Sequence, residues 1–132
     1  MAFDPRRDYP LGSERPDLVS TPSGLALDEL KFDDALDAAE LRATPATLRL
    51  QAEIAAAAGR SQLADNLRRG AELAPLPDET ILEIYTALRP GRSSAADLES
   101  WAARLETLDA PLTAAFVRDA ARAYGLRALL AG

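Results

Sequence analysis

The chain has 132 residues, a hydrophobic fraction of 48% with only 5% aromatics, and a formal net charge of −6. That length supports one domain with a real core, and the acidic balance argues against nucleic acid, whose partners carry a basic stripe. With no cysteine and no histidine, disulfides, thiolate catalysis, Cys/His zinc sites and imidazole acid–base chemistry are excluded within this chain. A core poor in aromatics and rich in Leu, Ala and Ile points to helices, and abundant alanine and arginine favour them further. No stretch approaches the ~20 apolar residues of a membrane span, and no signal-peptide apolar run follows the N-terminal arginines. The plain expectation is a soluble intracellular all-α protein. Lys31 is its single lysine, so nearly all positive charge is guanidinium, the better group for planar interface contacts.

Residues 1–26 carry prolines at 5, 10, 16 and 22 and glycines at 12 and 24. They predict an extended arm holding Phe3, Tyr9, Leu11, Leu18 and Val19, since proline disfavours helix at its own position and the one before. Such an arm lying along a partner would give Tyr9 and Leu11 a place to be buried. Residues 27–43 form a short helical or irregular segment in which Phe32, Leu36 and Ala39 suggest one helical face. The acidic group around it (Asp28, Glu29, Asp33, Asp34 and Asp37) lacks the ligand spacing, central glycine and terminal glutamate of a calcium loop, so a solvated face is expected.

From residue 44 to 132 the spacing predicts a helical bundle, within one domain overall. Thr44-Pro45 is a helix start, with Thr as cap and Pro at the first helical position. That helix runs to Gly59 with two apolar stripes, Leu48/Ala52/Ala55 and Leu50/Ile54/Ala57. A helix apolar on two sides needs covering on two sides, and in a small chain another subunit can supply the second cover. Ser61 is the expected cap of the next helix, whose stripe is Leu63, Leu67 and Ala71, with Asp65 and Arg69 as an i, i+4 pair. Gly70, costly in mid-helix, suggests a close helix crossing.

Pro75 and Pro77 break the chain before a helix with Ile81, Ile84, Tyr85 and Leu88 on one face and Leu82 off it. Arg89-Pro90-Gly91 ends it, and Ser94 with Asp97 predicts a capping box. The next face is Leu98, Trp101, Ala102, Leu105 and Leu108, with Trp101 as a core anchor. Pro111 opens a last helix with Leu112, Phe116, Ala120 and Tyr124 turned inward. Arg118 and Arg122 share a face there, solvated or facing an acidic partner. The carboxylates Asp78, Glu79 and Glu83 suit a helix N-terminus for dipole reasons alone. PSG, GRS and PGR are isolated turns without phosphate-loop spacing. No catalytic, cofactor-binding or metal-binding residue is assigned. On residues alone, the reading stops at a small acidic helical domain with no self-contained active site, and a free-standing adaptor or homo-oligomer stays open.

The segments DYPLGSERP, TLRLQAEIAAAAGR, NLRRGAEL, PDETILEIYTALRPGRSS and AAFVRDAARAY, in that order, resemble the small subunit of adenosylcobalamin-dependent diol/glycerol dehydratases. The region around Leu108 to Leu112 is about a residue short of that pattern, and GLRALLAG replaces a charged helix after Tyr124. The resemblance implies an all-α fold with an irregular N-terminal arm and an open up-and-down helical bundle. It implies a hydro-lyase built of large, medium and small subunits, with a radical reaction taking a diol or glycerol to an aldehyde and water. Adenosylcobalamin would be held by the other subunits and none by this chain. Residence would be cytoplasmic, some family members lying in bacterial microcompartments. The small subunit would pack on the large one, with Tyr9, Leu11, Tyr85, Arg89, Arg92 and Arg118 as the candidate interface.

Overall fold

The computed structural model describes residues 1–22, 24–29 and 43–132; the helix expected around Phe32 and Leu36, and most of the acidic face beside it, lie outside them. The fold is all-α behind an irregular arm. Among the described residues there are six helices: α1 Leu11–Glu14, α2 Pro45–Ala57, α3 Ser61–Leu73, α4 Asp78–Ala87, α5 Ala95–Thr107 and α6 Pro111–Leu126, with 3₁₀ turns at Pro16–Leu18 and Leu27–Glu29. No strand forms among the described residues, only a single antiparallel bridge between Ser20 and Ala26. The contacts fall into two compact units, Met1–Ala74 and Pro75–Gly132, which meet at the proline-rich break.

In the first unit, α2 and α3 pack together as a helical hairpin. Thr44 caps α2, its hydroxyl accepting from the Thr47 N–H at 3.2 Å, with Pro45 supplying a preset φ at the first position. Gly59 follows the helix at φ +78°, a left-handed conformation that glycine adopts without a Cβ penalty. The hairpin core is small: Ala52, Ala55 and Ala64 are buried, with Leu67 packed against them. Of the two stripes on α2, Ala52 and Ala55 on the first are buried, whereas Ile54 on the second is half-exposed and Ala57 exposed.

Several expectations for α3 are corrected. Arg60, not Ser61, stands at the cap, and no side chain bonds there. Asp65 pairs with Arg68 one residue earlier than expected, at 3.3 Å, and Arg69 donates to Asn66. Leu63 is 42% exposed, whereas Ala71 of the expected stripe is buried, together with Ala64 and Glu72. Gly70 does not mark a tight crossing, since a Cβ there would lie 3.9 Å from Leu48 Cδ1, an ordinary contact.

The arm is held by ions. Asp8 is buried, accepts from Arg7 Nε at 2.7 Å and from the Asp4 N–H at 2.9 Å, and lies 3.3 Å from Arg15 Nη1. Arg15 also grips Asp17 at 3.0 Å. These bonds, Arg7 first and the Asp4 N–H next, hold the Asp8 carboxyl well below the usual carboxylate range. Leu11 lies buried beside this clasp.

The second unit is built on α5 and α6, again a packed pair. The Ser94/Asp97 capping box forms, the Asp97 N–H donating to Ser94 Oγ at 3.1 Å and the Ser94 N–H to Asp97 Oδ2 at 3.0 Å. The Ser94 N–H lowers the Asp97 pKa. The core is Leu98, Ala102, Leu105, Ala110, Ala114 and Val117, all essentially without exposure. Burying a Leu or Val side chain stabilises by ~1.5–3 kcal/mol, so these positions dominate this unit. The inward face of α6 is therefore Thr113, Ala114 and Val117, not the expected Leu112 and Phe116, which are 49% and 41% exposed. The two stripes lie one residue apart, and the small one wins because α5 already supplies the large side chains. Trp101 is likewise half-buried rather than a core anchor.

Candidate docking surface

Pro77 precedes α4 in extended backbone, and Asp78 and Glu79 in the first turn complement the helix dipole. Thr80, Ile84 and Ala87 turn inward. The opposite stripe is Leu82 and Tyr85, 63% and 60% exposed, and Arg89 continues it seven residues after Leu82. Tyr85 thus lies outside the apolar face whose spacing it shares, on the exposed side where a candidate interface residue is expected. The core has room for Ile84 and the small Ala87 side by side, and half-buries Ile81 and Leu88.

The turn after α4 is held from inside. The Ser93 hydroxyl donates to the Ala87 carbonyl at 2.7 Å and the Tyr124 hydroxyl to the Leu88 carbonyl at 2.5 Å. The Gly91 N–H donates to the Leu129 carbonyl at 2.6 Å, and the Ala131 N–H to the Ser93 carbonyl at 2.8 Å. Gly91 has φ +78°, which favours glycine at this position. Arg89 and Arg92 project from this fixed frame, exposed and without an ion pair among the described residues. A charged group presented on an ordered loop loses less entropy on binding than one on a mobile loop.

Beside the stripe runs a groove of about 630 Å³ bordered by Leu82, Thr86, Arg92, Trp101 and Arg104. The Arg104 guanidinium lies 4.8 Å above the Trp101 ring and 3.8 Å from Glu83. The exposed Tyr85 and Arg92 and the half-buried Trp101 are of the residue types that anchor protein interfaces.

Other expected interface residues are placed differently. Tyr9 is 66% exposed on the arm, but Leu11 is buried inside its own unit. Arg118 forks onto Glu99, with Nη2 to Oε1 at 2.9 Å and Nε to Oε2 at 3.1 Å, and also bonds Glu106. These bonds raise the Arg118 pKa and lower that of Glu99. Arg118 therefore ties α6 to α5, and Arg122 pairs with Asp119. Leu82 and Trp101 are the additions that sequence reasoning missed; the signal for Leu82 was its position off the apolar stripe. Among the described residues no group of three or more His, Cys, Asp or Glu could hold a metal ion, and no helix is long and apolar enough to cross a membrane.

The family model described as "Dehydratase small subunit" matches residues 5–131. The chain belongs to the dehydratase small-subunit family. Among its relatives, the propanediol dehydratase small subunit of Citrobacter freundii is 48% identical over 130 residues, spanning 95% of this chain and 76% of that protein. The corresponding protein of Salmonella typhimurium is 47% identical over 130 residues, covering 95% and 75%. The match across residues 5–131 takes in nearly all of both units.

Proposed function

We propose that this chain is the small, non-catalytic subunit of an adenosylcobalamin-dependent diol or glycerol dehydratase, a hydro-lyase yielding an aldehyde and water by a radical route. The observation that carries the reading is the 47–48% identity to propanediol dehydratase small subunits over 95% of the chain. Its role is to complete a complex with large and medium subunits by packing on the large one. Leu82, Tyr85, Arg89 and Arg92 on the second unit, and Tyr9 on the first, are the contact groups. Adenosylcobalamin belongs to the other subunits in this reading: the chain has neither histidine nor cysteine to offer a transition metal. The assembly acts in the cytoplasm or inside a bacterial microcompartment.

The test is co-expression with the large and medium subunits. The three chains are expected to co-purify, and omission of this one to lower the yield of active complex. Arg89→Ala should weaken association more than it alters turnover in the complex that remains. Three chains that never co-purify, with activity unchanged on omission, overturn the proposal, as does a sharp fall in turnover in a fully assembled Arg89→Ala complex for the docking role. A monodisperse, cooperatively folded free chain with no affinity for the other two would instead mark an independent adaptor.

A further inference from the structure

A second groove lies wholly within the first unit, between the arm and the α2–α3 hairpin, and has a volume of about 720 Å³. Its apolar walls include Tyr9 from the arm, Ile54 from α2, and Leu63 and Leu67 from α3. Ile54 belongs to the second apolar stripe of α2, the one the hairpin leaves half-open. The charged residues lining the groove are Arg6 and Arg60 alone, with no Asp or Glu. In a chain with 21 acidic against 15 basic residues, an apolar groove edged only by guanidinium is a local inversion of the protein's charge. Both arginines are exposed and form no ion pair among the described residues, whereas Arg7, Arg15, Arg68, Arg104, Arg118 and Arg122 all do.

We infer that this groove seats a segment of the large subunit that presents apolar side chains flanked by carboxylates. The inference rests on the dehydratase-subunit reading above. Charge complementarity selects the acidic flanks: two unpaired guanidinium groups beside an apolar floor favour carboxylates and repel a basic segment. The rim selects a chain rather than a small amphiphile. Tyr9 and Leu63, 66% and 42% exposed, stand at the edge, where a molecule lying inside the groove would leave them in water. A polypeptide crossing the groove covers them together with the open stripe of α2. The arm thus forms one wall of a composite site, and the Asp8 clasp acts through it by fixing the local fold of the arm segment that carries Tyr9 and Arg6.

The experiment uses the three co-expressed subunits with an affinity tag on the large one, comparing wild type with the double variant Arg6→Glu/Arg60→Glu. Retention of the small subunit is expected to fall by about tenfold or more, and wild-type retention to weaken as salt rises. Arg60→Glu places an acid at the N-terminus of α3, where it favours the helix, so the melting temperature of the free variant should not fall. A photo-crosslinking residue at position 63 is expected to label a large-subunit segment containing Asp or Glu beside apolar residues. Undiminished retention of the double variant overturns the inference, as does crosslinking only to the medium subunit or to a second copy of this chain. Protection of position 63 by a small carboxylic amphiphile, with retention unchanged, overturns it in favour of a ligand pocket. If wild type itself is not retained, the dehydratase-subunit reading has failed, an outcome visible before any variant is compared.

Discussion

The two units reach stability by different means. The second excludes water with volume: Leu98, Leu105 and Val117 are fully buried between α5 and α6, and the Arg118–Glu99 fork lies outside that core. The first excludes water with closeness. Its hairpin core is alanine on alanine, and its arm is fastened by the buried carboxylate of Asp8 between Arg7 and Arg15. A leucine core tolerates a weak surface, since apolar burial supplies the larger share of its stability. An alanine core buries little area per residue, so among the described residues the first unit shows polar fastening within its arm and an open groove that, in the reading above, a partner covers.

Leu105→Ala should be the most damaging of these changes, at about 2–5 kcal/mol, because it leaves a cavity in the core of the second unit. Hydrogen exchange should show protection lost in α5 and α6 while α2 and α3 keep theirs. Equal loss in both hairpins would mean that the two units unfold as one and would break the comparison. Ala64→Leu is the mirror experiment, expected to cost about 1–3 kcal/mol by forcing α2 and α3 apart. A neutral result would show that the alanine contact is not close-packed.

Gly70→Ala should act in the opposite direction, raising stability by about 0.5–1 kcal/mol, since glycine in mid-helix is costly and the added methyl meets Leu48 at an ordinary distance. Thermal melting of the free chain checks this. A loss would mean that the helices approach more closely than the structure shows.

Asp8→Asn should leave the global transition nearly unchanged while the local fold of the arm loosens, read as proteolysis within residues 1–22 well before the hairpin is cut. The same contact carries a pH signature. The folded pKa of Asp8 is depressed, so its contribution is complete above the unfolded carboxylate value of about 4 and is lost as pH falls below it. Wild-type arm protection that does not weaken at all as pH falls from about 4 to about 2, or an Asn variant with an intact arm, would remove the clasp from the account.

Much of the fold was legible in local signals. Thr44-Pro45, Ser94 with Asp97, Pro75 with Pro77, and Gly59 each marked a boundary that the backbone then respected, because caps, prolines and left-handed glycines act within a few residues of themselves. The candidate surface was legible in part. Arg89 and Arg92 could be placed outward from the turn they flank, and Leu82 was visibly out of step with its helix. The choice between adjacent stripes was not legible. On α6, Leu112/Phe116 and Thr113/Val117 are one residue apart, and both have a helical period. On α4, Tyr85 sits within the same apolar arc as Ile84.

What local sequence decided here is the all-α class, the helix starts and stops, the absence of imidazole and thiol chemistry, and family membership through long ordered motifs. Tertiary structure alone decided which face of each helix is covered, where Arg118 spends its charge, and that Leu11 turns inward while Tyr9 remains in water. The reason is physical. Helix boundaries depend on backbone groups a few residues apart, whereas burial depends on how much volume the neighbouring helix already brings, and that neighbour lies ten or more residues away. A small residue on one side is correct only when a large one stands opposite, as Ala114 does in the unit that also buries Leu98 and Leu105.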